Sequence, residues 1–146
     1  MLRLVLWMGT LRMIGAHPVW GVGLGNFQRQ YPRYMLPEAW REPTLYHPHN
    51  LVLDFWAVLG IPGVAALIWM VAAFFGLAVR LYRRLEEPES RALVLGLMAS
   101  MVNFLAHGLV DTTYFLADLA LLFMLTLGIV SRLNLVGADR EGLARL

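Results

Sequence analysis

The sequence predicts an all-α fold, a polytopic transmembrane helix bundle of about three spanning helices with an outer loop carrying short helices. Three observations lead there. Of 146 residues, 59% are hydrophobic and 15% charged, whereas a soluble domain carries about 45–50% and about 25%. Three stretches (55–79, 92–110 and 114–130) approach or exceed the roughly 20 apolar residues that a spanning helix needs. The basic residues are also unevenly divided among the segments joining them. Together these exclude a disordered chain, a nucleic-acid-binding tail and an ordinary water-soluble domain. Cysteine is absent, which removes disulfides, thiolate nucleophiles and Cys-ligated zinc.

Residues 1–50 form the first region, an interfacial helix followed by a loop. Met1 to Ile14 is apolar but short, and Arg3 and Arg12 interrupt it, so it suits a helix at the membrane surface. From His17 to Asn50, Pro and Gly punctuate the chain, with a short helix expected over about 26–35. Aromatic residues Trp20, Phe27, Tyr31, Tyr34, Trp40 and Tyr46 suit a loop lying at the lipid headgroups. Residues 51–133 hold the three spans. The first carries no formal charge from Phe55 to Val79, and Pro62 is expected to kink it. The second contains Asn103 and His107, and the third one charge, Asp118. Residues 134–146 form a polar tail.

All twelve basic residues are Arg, a bias that either phosphate recognition or a GC-rich coding sequence produces. The linker 80–91 holds four of them and the tail three, while the turn at 111–113 holds none. The positive-inside rule then places linker and tail in the cytoplasm and the 111–113 turn and the 17–50 loop outside. Arg3, Arg12, Arg29, Arg33 and Arg41 fit that rule poorly on the outer side, which asks for another use of them. The Glu86-Glu87-Pro88-Glu89 run reads as a solvated turn whose proline opens the next helix.

This topology gathers the scarce polar residues. His49, Asn50 and Asp54 fall at the outer end of the first span, His107 and Asp111 at that of the second, and Asp118 near the start of the third. Asn103, His107 and Asp111 recur every four residues, one stripe on a helix. Ionisable groups beside hydrocarbon cost several kcal/mol unless paired or hydrated, so the cluster predicts a cavity open to the outside. For His107 and Asp111 alone, a structural hydrogen bond between helices serves equally well.

Gly21-Val22-Gly23-Leu24-Gly25 lacks the preceding strand and glycine spacing of a dinucleotide fingerprint and has no P-loop lysine. It reads as a turn where backbone approaches backbone. His47-Pro48-His49 offers two imidazoles without a demanded third ligand, so no metal is assigned. No Asp-x-Asp pair is present to support metal-assisted glycosyl transfer.

The most specific pattern is His49-Asn50, nine residues, then Gly60-Ile61-Pro62-Gly63. It resembles the His-Asn/Ser/Gln, nine residues, Gly-x-x-Gly pattern of the O-antigen ligase and polymerase family. Arg3-x-x-x-Trp7, then Pro18, Gly21-x-Gly23 and Asn26-Phe27, resemble that family's Arg–aromatic stretch and its Pro, Gly-x-Gly and Asn-Phe. His107-x-x-x-Asp111 is similar to a pair the family often carries one helix later. The resemblance implies a membrane glycosyltransferase of the bacterial inner membrane, multi-pass, with its active face periplasmic. Its donor would be an undecaprenyl-diphosphate-linked glycan and its acceptor a lipid or glycan. Membrane lipids would be further partners, with no nucleic acid and no cofactor. It equally admits a polysaccharide polymerase or a protein O-oligosaccharyltransferase of the same family. Family members carry more spans, so this chain is expected to be the C-terminal part of a larger bundle, completed by further helices; a truncated, non-catalytic membrane fragment is the remaining alternative.

On that resemblance, His49 is the catalytic base or a hydrogen-bonding anchor, and Asn50 orients it or the substrate. Arg3 leads the diphosphate-binding candidates, with Arg12, Arg29, Arg33 and Arg41 behind it. His107 and Asp111 are supporting residues. The plainer alternatives are a helix cap for His49, an interfacial anchor for Arg3, and packing for Gly60 and Gly63.

Overall fold

The computed structural model describes residues 2–39, 47–111 and 117–143. Arg41, the side chain of Asp118 and the start of the expected third span lie outside the described residues. Among the described residues five α-helices follow in order: α1 (Leu2–Ala16), α2 (Phe27–Gln30), α3 (Leu51–Arg84), α4 (Pro88–Gly108) and α5 (Ala117–Leu143). Two 3-10 turns, Tyr31–Arg33 and Pro37–Ala39, follow α2, and the described residues contain no strand. The short helix expected over 26–35 is thus α2 and the turn after it.

Helices α3 and α4 are long and apolar enough to cross a membrane. Their windows are only 28% and 17% buried, and large apolar side chains such as Ile68, Trp69, Leu93 and Val102 stand exposed. A core helix of a soluble protein would hide that surface, whereas lipid contact accounts for it. Among the described side chains of α5, Ala120–Leu133 is apolar. Helix α3 contacts α1, α4 and α5 and is the axis of the molecule.

One apolar cluster joins Leu6, Met13 and Ile14 of α1 to Phe27, Tyr31, Ala57 and Val58. Tyr31 is wholly buried, stacked on Phe27 at 5.3 Å, and burial pushes its phenol pKa up. Gly9 leaves room for it, since a Cβ there would lie 3.0 Å from the ring. A second cluster packs Phe74, Ala78 and Leu81 against Val94 and Met101 of α4 and Phe123 and Val130 of α5. At the far turn, Pro88 opens α4 as expected, and the Arg91 guanidinium lies 4.5 Å from the Tyr82 ring centroid.

Between the two clusters α3 is broken. Gly60 adopts φ 68°, ψ −159°, a region that is essentially glycine-only. The expected kink is therefore centred two residues before Pro62. Hydrogen-bond accounting explains it. Pro62 has no N–H to give Val58 C=O, and the Ile61 N–H turns away to Val19 C=O at 3.0 Å. Two helix carbonyls are thereby freed. Val22 N–H donates to Ala57 C=O at 2.8 Å, and Gly23 N–H to Val58 C=O at 2.9 Å. The Gly21–Gly25 loop is thus a lock on the broken helix, as a backbone-to-backbone turn should be. A Cβ at Gly21 would fall 2.6 Å from Val58, and one at Gly60 2.0 Å from the Val19 oxygen. Trp56 reinforces the lock, its indole N–H donating to Pro18 C=O at 3.1 Å. Gly63 has a different use from helix-to-helix packing: its missing Cβ would overlap Leu59 of its own helix.

Candidate functional site

Three chain segments meet at one end of α3. The first is the start of α1, where Arg3 and Trp7, four residues apart, share a face. The Trp7 indole N–H donates to Pro48 C=O at 2.9 Å, which draws residues 47–50 onto that face. The second segment is 47–50 itself. Asn50 is the N-cap of α3: its Oδ1 accepts from the Leu53 N–H at 3.0 Å, and its Nδ2 donates to Leu109 C=O at 2.7 Å. The third is the end of α4 and the turn after it, which delivers Asp111.

His49 sits where these meet. Its Nδ1 lies 2.6 Å from Asp111 Oδ1, and Arg3 reaches the same carboxylate at 3.8 Å while also donating to Val110 C=O. His49 is the one described non-glycine residue with positive φ, at 52°. That conformation costs about 1 kcal/mol or more, and such outliers persist where the surroundings impose them. The imidazole is about two-fifths exposed, so its outer edge is open. With Nδ1 on a carboxylate, the natural tautomer carries the proton there and leaves the Nε2 lone pair free to accept another.

The predicted residues divide accordingly. Arg3, His49, Asn50 and Asp111 converge. Arg12 lies nine positions after Arg3, half a turn round α1, and is exposed. Arg29 and Arg33 are exposed on α2 and the following turn, Arg33 bonding Gln30 Oε1 at 3.2 Å. His107 and Asn103 line a different cleft, of about 220 Å³, between α4 and α5 with Ser100 and Thr126. The stripe on the second span is therefore split, because α4 closes at Gly108 and Asp111 is turned onto His49. His107 supports the end of the helix through its backbone, its C=O accepting from the Asp111 N–H at 2.9 Å.

Two features went unassigned in the sequence. Asp54 is fully buried, with its carboxylate oxygens 3.3 and 3.4 Å from His47 Nδ1. An apolar groove of about 590 Å³ also opens beside the site, lined by Leu51, Val52, Leu67 and Ile68 of α3, Leu105 of α4 and Leu109 just after it. Leu109 belongs to both, lining the groove and accepting the Asn50 hydrogen bond.

Asn50→Ala is expected to cost about 1 kcal/mol through loss of the cap, with more from the broken tie to Leu109. A lowered melting temperature in detergent, without loss of helix content, is the measurement that checks it.

Comparison with curated proteins and with solved structures finds no match. The family model described as O-Antigen ligase does match, over residues 1–68, the stretch that carries Arg3, the loop–helix lock and the His49–Asn50 corner.

Proposed function

We propose that this chain transfers a glycan from an undecaprenyl-diphosphate carrier to an acceptor hydroxyl on the periplasmic side of the bacterial inner membrane. The observation that carries the reading is the meeting of Arg3, His49 and Asp111, from three separate segments, at the mouth of an apolar groove. An anionic headgroup on a long hydrocarbon chain needs that combination: fixed positive charge at the rim and an apolar channel beside it. The family match over residues 1–68 supports the same chemistry.

The acceptor hydroxyl attacks the anomeric carbon, the bond from that carbon to the diphosphate oxygen breaks, and the lipid diphosphate leaves. The hydroxyl proton passes to His49 Nε2. Asp111 holds the ring by its Nδ1–H and stabilises the imidazolium that forms. Charge growing on the departing diphosphate is met by Arg3, whose side chain is 56% exposed and whose planar fork matches phosphate oxygens two at a time. Asn50 contributes by fixing the corner from which His49 projects. Arg12, Arg29 and Arg33 are left to attract the anionic headgroup at longer range.

The test is transfer of a glycan from an undecaprenyl-diphosphate donor in proteoliposomes, with lipid, glycan and protein acceptors supplied in separate reactions. Product with any one acceptor supports glycosyl transfer and names the branch of the family; no product with all three overturns it. Arg3→Lys keeps the charge but loses the fork, and is expected to lower the rate about 10-fold. An unchanged rate would make Arg3 an interfacial anchor.

A further inference from the structure

The pair His47–Asp54 has no part in the chemistry above, and yet it is expensive. A carboxyl group with no exposed surface needs compensating polar contacts, and in Asp54 the Oδ2 atom has no well-aligned hydrogen bond. What it has is the His47 imidazole, with Nδ1 at 3.3 Å from Oδ2 and 3.4 Å from Oδ1. Asp54 lies in the first turn of α3, where a carboxylate also meets the positive end of the helix. That alone would stabilise the helix without any histidine.

The local geometry shows what the pair adds. His49 is held in its left-handed conformation from both sides. On its C-terminal side, Asn50 is fastened to Leu53 and Leu109. On its N-terminal side, Pro48 is buried with its carbonyl on Trp7, and His47 is fastened to Asp54. A strained φ needs both flanks fixed, since a loose flank lets the peptide relax to negative φ and swings the imidazole away from Asp111. Two histidines two residues apart therefore face two different carboxylates, one buried in α3 and one beyond α4. Only the second histidine is placed to meet a substrate.

We infer that Asp54 is a positioning residue, which acts through His47 to hold the 47–49 backbone so that His49 keeps its left-handed conformation and its hydrogen bond to Asp111. The consequence for turnover rests on the glycosyl-transfer reading; the consequence for His49 geometry does not.

The experiment separates the two. The chain has four histidines, His17, His47, His49 and His107, so ¹⁵N-histidine labelling of the full chain in detergent micelles gives a spectrum assignable by single substitutions. Asp54→Asn and His47→Gln are each expected to move the His49 ring-nitrogen signals in the direction that Asp111→Asn moves them, while His17 signals stay in place. The double variant should move them no further than either single one, because the two residues act in series. In proteoliposomes, each single variant should lower kcat about 10-fold and leave KM for the lipid-linked donor unchanged. If His49 signals stay at their wild-type positions in both single variants, the positioning role is overturned and the pair merely stabilises the start of α3. Should Asp54→Asn fail to fold, His47→Gln decides alone, since it empties the same contact from the exposed side. Shifted His49 signals in a chain that transfers no glycan would sustain the positioning role and overturn the proposed function instead.

Discussion

His49→Ala is expected to lower glycan transfer by about 10²- to 10⁴-fold, the usual contribution of a general base, with the protein still folded and inserted. The retention of fold follows from the placement of the side chain. His49 is partly exposed, and its contact with Asp111 lies at the rim, outside both apolar clusters. The measurement is the initial rate in proteoliposomes, normalised to the amount of inserted protein. Transfer within twofold of the wild type would remove His49 from the reaction and leave the site as a structural corner. Asp111→Asn gives a milder version of the same result, since an amide oxygen can still accept from Nδ1–H but no longer stabilises the imidazolium.

The second large effect is expected at Gly60. Gly60→Ala places a methyl group 2.0 Å from the Val19 oxygen on a backbone at φ 68°, ψ −159°. Strain in that region costs about 1–3 kcal/mol, and overpacking adds about 1–3 kcal/mol more. The helix has no inexpensive escape. If α3 straightens to remove the clash, Val22 and Gly23 lose their acceptors, and the loop that joins α1 to the site comes free. The variant should therefore melt well below the wild type in detergent, and protease should cut within residues 17–25 of the folded protein. A melting temperature within about 1 °C of wild type, with no new cleavage, would show that the lock is dispensable. Gly76→Ala, where a Cβ meets nothing within 4 Å, is the control expected to leave both readouts unchanged.

These two residues also show what the sequence made legible. The spacing His49-Asn50, nine residues, Gly60 was visible as a pattern, but its meaning is a length. Residues 51–59 are the stub of helix between the Asn50 cap and the break, about 13 Å long, and that stub sets the distance from the His49 corner to the loop lock. The apolar runs announced α3 and α4 directly, because lipid contact demands continuous hydrophobicity. Asp111 was gathered with His49 at the outer end of the spans, but its stripe with Asn103 and His107 is not kept: a four-residue recurrence holds only while the helix continues, and α4 ends first. The His47–Asp54 pair had no sequence signature, because a non-helical corner lies between the two residues and no periodicity relates them. The groove was likewise illegible, being a property of how α3 and α4 lean together.

The broken helix has one more implication, for the order in which the molecule is made. Two acceptors on α3, at Ala57 and Val58, have no partner on their own helix, and at the edge of a bilayer bare carbonyls are poorly tolerated. Their donors, Val22 and Gly23, leave the ribosome more than thirty residues earlier. The chain thus synthesises the plug before the hole, so that when α3 is threaded into the membrane its gap can be closed at once instead of waiting on later helices.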